Sequence, residues 1–325
     1  MKKIVILLLL LFIIVGCKKN DKVEDAFMKN LTDAKSYKVT GVMETFYGND
    51  RRQNEFVVFY KEPDLIKVTI TSVENEDKQI ILKNKTGVFV LIPSVNKKFK
   101  IQSSWPSNAS YPYLLQSLAK DIANDENLIR SELESTIEIE TKTHMHTDAN
   151  VVKQKIIFDK DTQLPTEVKV YDDEGELYIR CVFQSIELDY NVNDSEFVVD
   201  DTMTQSRLEF GENGKVFSDR TLAIPTYFPD GSKLDGKIIG SERAIMKFTG
   251  DYGFTIIQEL IEDSEAMSSE EEDGSVVMIL GNVGFVTDKY LRFIYGGVSY
   301  TLASEEIKLD ELVKIVSSYI IDNEK

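Results

Sequence analysis

Cysteine and histidine are almost missing from this sequence: its 325 residues hold two of each, Cys17 and Cys181, His144 and His146. That scarcity excludes a disulfide framework of several bridges. On a strand His144 and His146 would point to one face, but two ligands do not make a metal site and no third His completes it. The chain also has no Gly-x-x-x-x-Gly-Lys phosphate loop, no Gly-x-Gly-x-x-Gly turn and no Gly-x-Ser-x-Gly elbow. No catalytic residue, no metal and no cofactor is therefore expected. Positive charge is short as well, with 38 Lys and Arg against 55 Asp and Glu and a formal net charge of −17. Such a surface repels nucleic acid.

Long apolar runs are equally scarce, and the single one sits at the start. Met1-Lys2-Lys3 precedes twelve apolar residues, 4–15, and Ile14-Val15-Gly16-Cys17 follows at once. A charged start, an apolar run too short to span a bilayer and a small residue before the cut make a signal peptide of residues 1–16. A Cys directly after the small residue is the bacterial pattern for attaching diacylglycerol to a thiol, so Cys17 is the expected lipidation site and the membrane the expected partner. Each buried methylene adds about 0.8 kcal/mol and two or three chains hold firmly. The mature chain is then expected on the extracytoplasmic face of the cell membrane, with Cys181 as its one thiol and a formal charge of −19 once Lys2 and Lys3 are removed. In its strand-like setting, Tyr178-Ile179-Arg180-Cys181-Val182-Phe183, that thiol reads as a small packed residue and not a nucleophile.

Residues 17–22 form a short polar tether. Ala26, Phe27, Leu31 and Ala34 then lie on one face of a short helix. Alternating segments follow at 37–47, 55–60, 65–71, 78–82, 87–91 and 99–102, parted by turn-rich stretches such as Glu62-Pro63-Asp64 and Asn84-Lys85-Thr86. Their spacing predicts a six-stranded antiparallel meander. Residues 104–122 interrupt it with the only Trp, then Pro106, Tyr111, Pro112 and Tyr113, and a helical stripe of Leu114, Leu115, Leu118 and Ile122. Two readings stand for Trp105, Tyr111, Tyr113, Leu114, Leu115 and Leu118: a helix that plugs the open side of the sheet, or the lining of a ligand cavity or partner groove. A second short helix is expected at 127–131, and strands at 135–141, 151–158, 165–171 and 177–188. Asp172-Asp173-Glu174-Gly175 lacks the spaced oxygens and closing Glu of a calcium loop and reads as a hairpin.

Helix, curved run of strands, a Trp-Pro and helical insertion, then four more strands: over residues 20–200 this order resembles the LolA-like fold of bacterial lipoprotein carriers. Tyr60-Lys61-Glu62-Pro63-Asp64-Leu65 and Val90-Leu91-Ile92-Pro93 look like that family's strand-to-Pro steps. Gln102-Ser103-Ser104-Trp105-Pro106, with Tyr113-Leu114-Leu115 and Lys120-Asp121-Ile122, resembles its lipidated, sporulation-linked branch of the YdcC and GerS type. The fold class implied is α+β, an incomplete barrel of curved antiparallel sheet covered by helices over residues 23–200. The carriers are soluble shuttles whereas this chain keeps an anchor sequence, so shuttling is not implied with the fold.

Residues 201–220 read as a linker to a smaller α+β domain, 221–325. Strands are expected at 237–241, 244–249, 254–259, 276–280, 282–287, 290–295 and 298–303, with an acidic, solvated loop at 264–273. Leu309, Leu312, Val313, Ile315, Val316, Tyr319 and Ile320 mark a closing helix. Through Pro229-Asp230-Gly231, the Tyr295-Gly296-Gly297-Val298 hairpin and that helix, this part resembles the small extracytoplasmic domain of such lipoproteins and of anti-sigma-factor-like membrane proteins. The function these readings imply is a non-enzymatic envelope scaffold or chaperone in sporulation or germination. Its partner would be a protein, such as an extracytoplasmic peptidoglycan-modifying enzyme, or an apolar acyl ligand in the half-barrel. The alternative is a lipid or lipoprotein carrier, which needs an open apolar cavity.

Overall fold

The computed structural model describes residues 22–318 except 48–49, 75, 103, 108, 146–150, 214–224, 262–266, 280, 305, 309–310, 313 and 317. The leader, Cys17, most of the tether and His146 lie outside the described residues. Helix α1, Val23–Asp33, buries Val23 and Phe27, the latter edge-on to Phe158 at 5.2 Å between ring centroids. Strands β1 (Ser36–Tyr47), β2 (Asp50–Lys61), β3 (Leu65–Ser72), β4 (Lys78–Asn84), β5 (Gly87–Ile92) and β6 (Lys97–Ile101) form the expected meander. After helix α2, Leu115–Asn124, a second meander runs through β7 (Ile129–Glu132), β8 (Thr136–Lys142), β9 (Val151–Asp159), β10 (Pro165–Asp172) and β11 (Leu177–Leu188). β11 pairs antiparallel with β1 and joins the two meanders into one curved, open sheet.

Sequence pattern decides how each strand is covered. β8, β9 and β10 alternate, and Ile137, Ile139, Ile156, Phe158, Val168 and Val170 face the core while their neighbours face out. β4 and β5 are continuous apolar runs because both of their faces are covered. Ile81, Val88, Val90 and Ile92 enter the main core; Ile80, Leu82, Phe89 and Leu91 meet Met203 and Val199 of helix α3, Val199–Asn213. At a bulge in β1, Gly41 pairs with Phe56, whose ring lies where a Cβ would be: the closest ring carbon is 2.5 Å from that position. Only glycine lets the ring lie over the strand there.

The C-terminal part folds as a second, seven-stranded sheet. It contains β12 (Ser232–Ile239), β13 (Arg243–Gly250), β14 (Phe254–Leu260), β16 (Ser275–Ile279), β17 (Asn282–Val286), β18 (Tyr290–Tyr295) and β19 (Val298–Ala303), in the order β12-β13-β14-β19-β18-β17-β16. The remaining strand, β15 (Ser268–Glu272), leaves it and pairs in parallel with β6, making the first sheet twelve-stranded.

Four expectations are corrected. The helix expected at 127–131 is strand β7: five residues are too few to nucleate a helix, and the open edge of β8 pairs with them from Ile129↔Glu140 to Glu132↔Ile137. The linker expected at 201–220 is helix α3 as far as Asn213. The acidic loop expected at 264–273 is β15 over 268–272, because the edge of β6 supplies backbone partners and Lys97, and β18 supplies Arg292. The first strand of the second sheet starts at Ser232 and not at 237.

Candidate functional site

The concave face of the first sheet is the natural place for a ligand, and the structure fills it with the chain's own residues from two directions. The insertion before α2 lies across it. Trp105 stacks edge-on against Tyr111 at 5.7 Å, Tyr111 lies 6.0 Å from Tyr113, and Tyr113 lies 6.1 Å from Phe56 of β2. Leu114, Leu115 and Leu118 continue this packing along the first turns of α2, and all six candidate residues are at most 2% exposed. The Tyr37 hydroxyl of β1 donates to Gln116 Oε1 and ties α2 to the sheet. Burial pushes the phenols of Tyr37, Tyr111 and Tyr113 well up, so all three stay protonated. Trp105 Nε1 and the Tyr113 hydroxyl make no hydrogen bond among the described residues, so both rings act by packing. The insertion thus packs its aromatic and leucine side chains against the sheet.

The second filling comes from the C-terminal sheet. Val276, Met278, Val283, Phe285 and Ile294 point into the core of the first sheet, where Phe285 meets Phe99 of β6 at 4.9 Å. Val277, Ile279, Leu291 and Phe293, from the other faces of the same strands, pack under Leu312, Ile315 and Val316 of the closing helix. β16 to β18 are therefore a wall shared by two cores. Polar contacts set their position: Asn54 Nδ2 donates to Gly281 O at 3.0 Å, Gln79 Nε2 donates to Ile294 O at 3.0 Å, and Gln79 Oε1 accepts the Val283 amide. The Tyr111 hydroxyl donates to Val276 O at 3.2 Å. Gly281 has φ +75 and a Cβ there would lie 2.5 Å from Asn54 Nδ2, so the turn fits against the sheet only as glycine.

β15 closes the edge next to this wall. Lys97 Nζ lies 2.5 Å from Glu270, Arg292 Nη2 lies 3.0 Å from Glu270, and the Tyr290 hydroxyl donates to Glu272, which is 2% exposed. Arg292 also covers the Phe99 ring at 5.2 Å. Sequence reading missed both contributions of the second sheet to the first. The signal was the unbroken apolar run Val276-Val277-Met278-Ile279, which marks a strand covered on two faces.

The polar cluster nearest to an enzyme-like arrangement is wired for structure. Ser110 Oγ donates to Asp121 at 2.8 Å and accepts the His144 backbone N–H at 3.0 Å, while Gln154 Nε2 donates to Asp121 at 2.7 Å. Burial raises the Asp121 carboxyl, with Ser110 and Gln154 opposing. His144 Nδ1 is 3.9 Å from Asp121 and its ring is exposed, so the serine proton goes to the carboxylate and not to an imidazole base as acyl transfer requires. The pair with His146 falls partly outside the described residues. No group of three or more His, Cys, Asp or Glu side chains that could share a metal ion occurs among the described residues. Burial also pushes the Cys181 thiol well up, which leaves it unreactive. Among the described residues no helix is long and apolar enough to cross a membrane.

Comparison with known proteins identifies a family. Residues 1–197 match the family described as sporulation protein YdcC-like. The chain is 32% identical over 287 residues to sporulation protein YdcC of Bacillus subtilis, covering 87% of this chain and 85% of that protein. Among solved structures it is similar to a LolA superfamily protein from Nitrosomonas europaea, with 13% identity, 55% of this chain and 98% of that one covered, and a TM-score of 0.32. It is also similar to a chain in the complex of the CwlD amidase with the GerS lipoprotein from Clostridioides difficile, with 16% identity, 53% and 93% covered, and a TM-score of 0.21. On the family match and the relative matched over 85% of its length, this chain belongs to the sporulation protein YdcC-like family.

Proposed function

We propose that this protein is a lipid-anchored scaffold of the cell envelope that serves sporulation or germination by holding a protein partner, without catalysing a reaction. The observation that carries this reading is the filled concavity: the residues that would line a carrier's cavity are packed against Trp105, Tyr111, Tyr113 and the β16 to β18 wall. An acyl chain could enter only by displacing them. Membership of the family supports the link to sporulation. The Ile14-Val15-Gly16-Cys17 box after an apolar run supports an anchor on Cys17 and an extracytoplasmic location. The partner class we favour is an extracytoplasmic peptidoglycan-modifying enzyme, and the outward-facing residues of β8 to β10 offer a surface for it. We also infer that residues 23–200 and 221–325 act as one body, since the second part supplies core residues and an edge strand to the first.

Native mass spectrometry of the full chain, extracted in detergent from sporulating cells, tests this directly. The expected result is an acyl mass lost in Cys17→Ser, no further lipid at stoichiometric level, and co-capture of a cell-wall enzyme. Lipid bound at about one per chain in addition to the anchor would replace the scaffold with a carrier.

A further inference from the structure

A cleft of about 530 Å³ opens beside the second sheet, walled by Tyr227, Asp230, Tyr252, Glu306, Lys308 and Glu311 among others. Its parts come from three separate elements that are tied together. Tyr227 stands on the segment leading into β12, where the Thr226 and Tyr227 amides donate to Ser318 Oγ of the closing helix at 3.1 Å each. Tyr252 stands in the turn between β13 and β14, which is fixed by the Gly253 N–H to Glu306 Oε2 at 2.9 Å and by Ser304 Oγ to Gly253 O at 2.8 Å. Glu311 accepts the Tyr227 hydroxyl across the cleft. The three elements are therefore tied to one another by hydrogen bonds that the chain makes by itself.

We propose that this cleft binds the cationic side chain of a basic peptide segment of a partner protein. Three carboxylates, Asp230, Glu306 and Glu311, and one ammonium, Lys308, line the cleft, and Lys314 Nζ lies 3.6 Å from Glu311 behind it, so negative charge remains in excess by one. Tyr227 and Tyr252 are 40% and 44% exposed and offer ring faces of the kind over which an ammonium or guanidinium settles. The volume suits one long side chain with its flanking backbone. The Tyr227 phenol reports the field inside: its bond to Glu311, burial and the charges of Glu311 and Asp230 push it up to about 12, so it remains a donor that holds Glu311 in place. An anionic ligand would meet those three carboxylates, and an apolar one would strip water from them without a partner. The inference does not rest on the anchor, on the spore-related role or on the choice of partner above.

Titration calorimetry on the full-length chain in detergent, with an acetylated and amidated Gly-Lys-Gly peptide and its norleucine and glutamate counterparts, tests the proposal. The lysine peptide binds and the other two do not, and added salt weakens the binding. Asp230→Asn and Tyr252→Leu each weaken it by about tenfold, with melting temperatures unchanged because both residues are at the surface. Lys308→Ala tightens it by about two- to fivefold, a gain that loss of structure cannot produce. Equal binding of the norleucine peptide, indifference to Asp230→Asn and Tyr252→Leu, or no binding of the lysine peptide at millimolar concentration would each overturn it.

Discussion

Asp77 lies between β3 and β4 with its carboxyl group enclosed, and burial pushes it up to about 6. A carboxyl whose folded-state value lies above its unfolded one binds its proton more tightly in the folded chain. Its contribution to stability is complete below the ordinary aspartate range and is lost as the pH rises through 6. Asp77→Asn keeps the shape and removes the titration. The expected outcome is a gain of about 1–3 kcal/mol at pH 7.5 that disappears near pH 4, measured by urea unfolding at both values; an equal effect at both would assign the change to packing. At this scale the sequence was partly legible. The concentration of Trp105, Tyr111 and Tyr113 marked the insertion as special, but a core and a cavity are built from the same aromatic residues, so their pattern could not say which. Asn54 and Gln79 were illegible for another reason: an amide on a strand carries no periodic signal, and only the approach of Gly281 and Ile294 gives these two their work.

Among the elements, β15 departs furthest from its local sequence. Ser268-Ser269-Glu270-Glu271-Glu272 has the composition of a solvated loop, yet it forms five parallel pairs with β6. The reason is tertiary: Lys97 and Arg292 wait at that edge, and Tyr290 and the Gln102 amide reach Glu272. Arg292 Nη1 also lies 3.5 Å from Glu272, so Arg292→Ala leaves that enclosed carboxylate without its cation, a change that costs about 3 kcal/mol. It should also release β15, which hydrogen exchange will register as lost protection at the Gln102 amide while β1 to β3 stay protected. Unaltered protection at Gln102 would mean that the backbone pairs hold the strand by themselves. The rest of the element pattern was readable wherever periodicity was strong, as in the alternating β8 to β10 and the apolar runs of β4 and β5. Helix α3 was not, because it touches the sheet through little more than Val199 and Met203 and is anchored by ion pairs and hydrogen bonds such as Lys78 to Glu209 and Arg207 to Pro93 O. Those partners lie more than a hundred residues away in the chain.

At the scale of the whole molecule, the two sheets share a wall, and thermal unfolding should follow that wall and not the order of the chain. A single calorimetric transition with equal calorimetric and van't Hoff enthalpies is expected; two separated transitions would mean that the halves are stable alone. Two halves were visible in the sequence as two sets of strands, but their union was not, since it depends on which face of β16 to β18 meets which core. The shared wall also orders events in time. A chain made from its N-terminus completes β1 long before β11 exists to pair with it, and the first core lacks Val276, Phe285 and Ile294 until nearly the whole polypeptide has been made. Until then a broad apolar surface and the edge of β6 stand uncovered, and contacts this distant close slowly. The nascent protein is thus at its most adhesive and most easily cut just before its last strands arrive, which gives any chaperone or protease that meets it a defined interval in which to act.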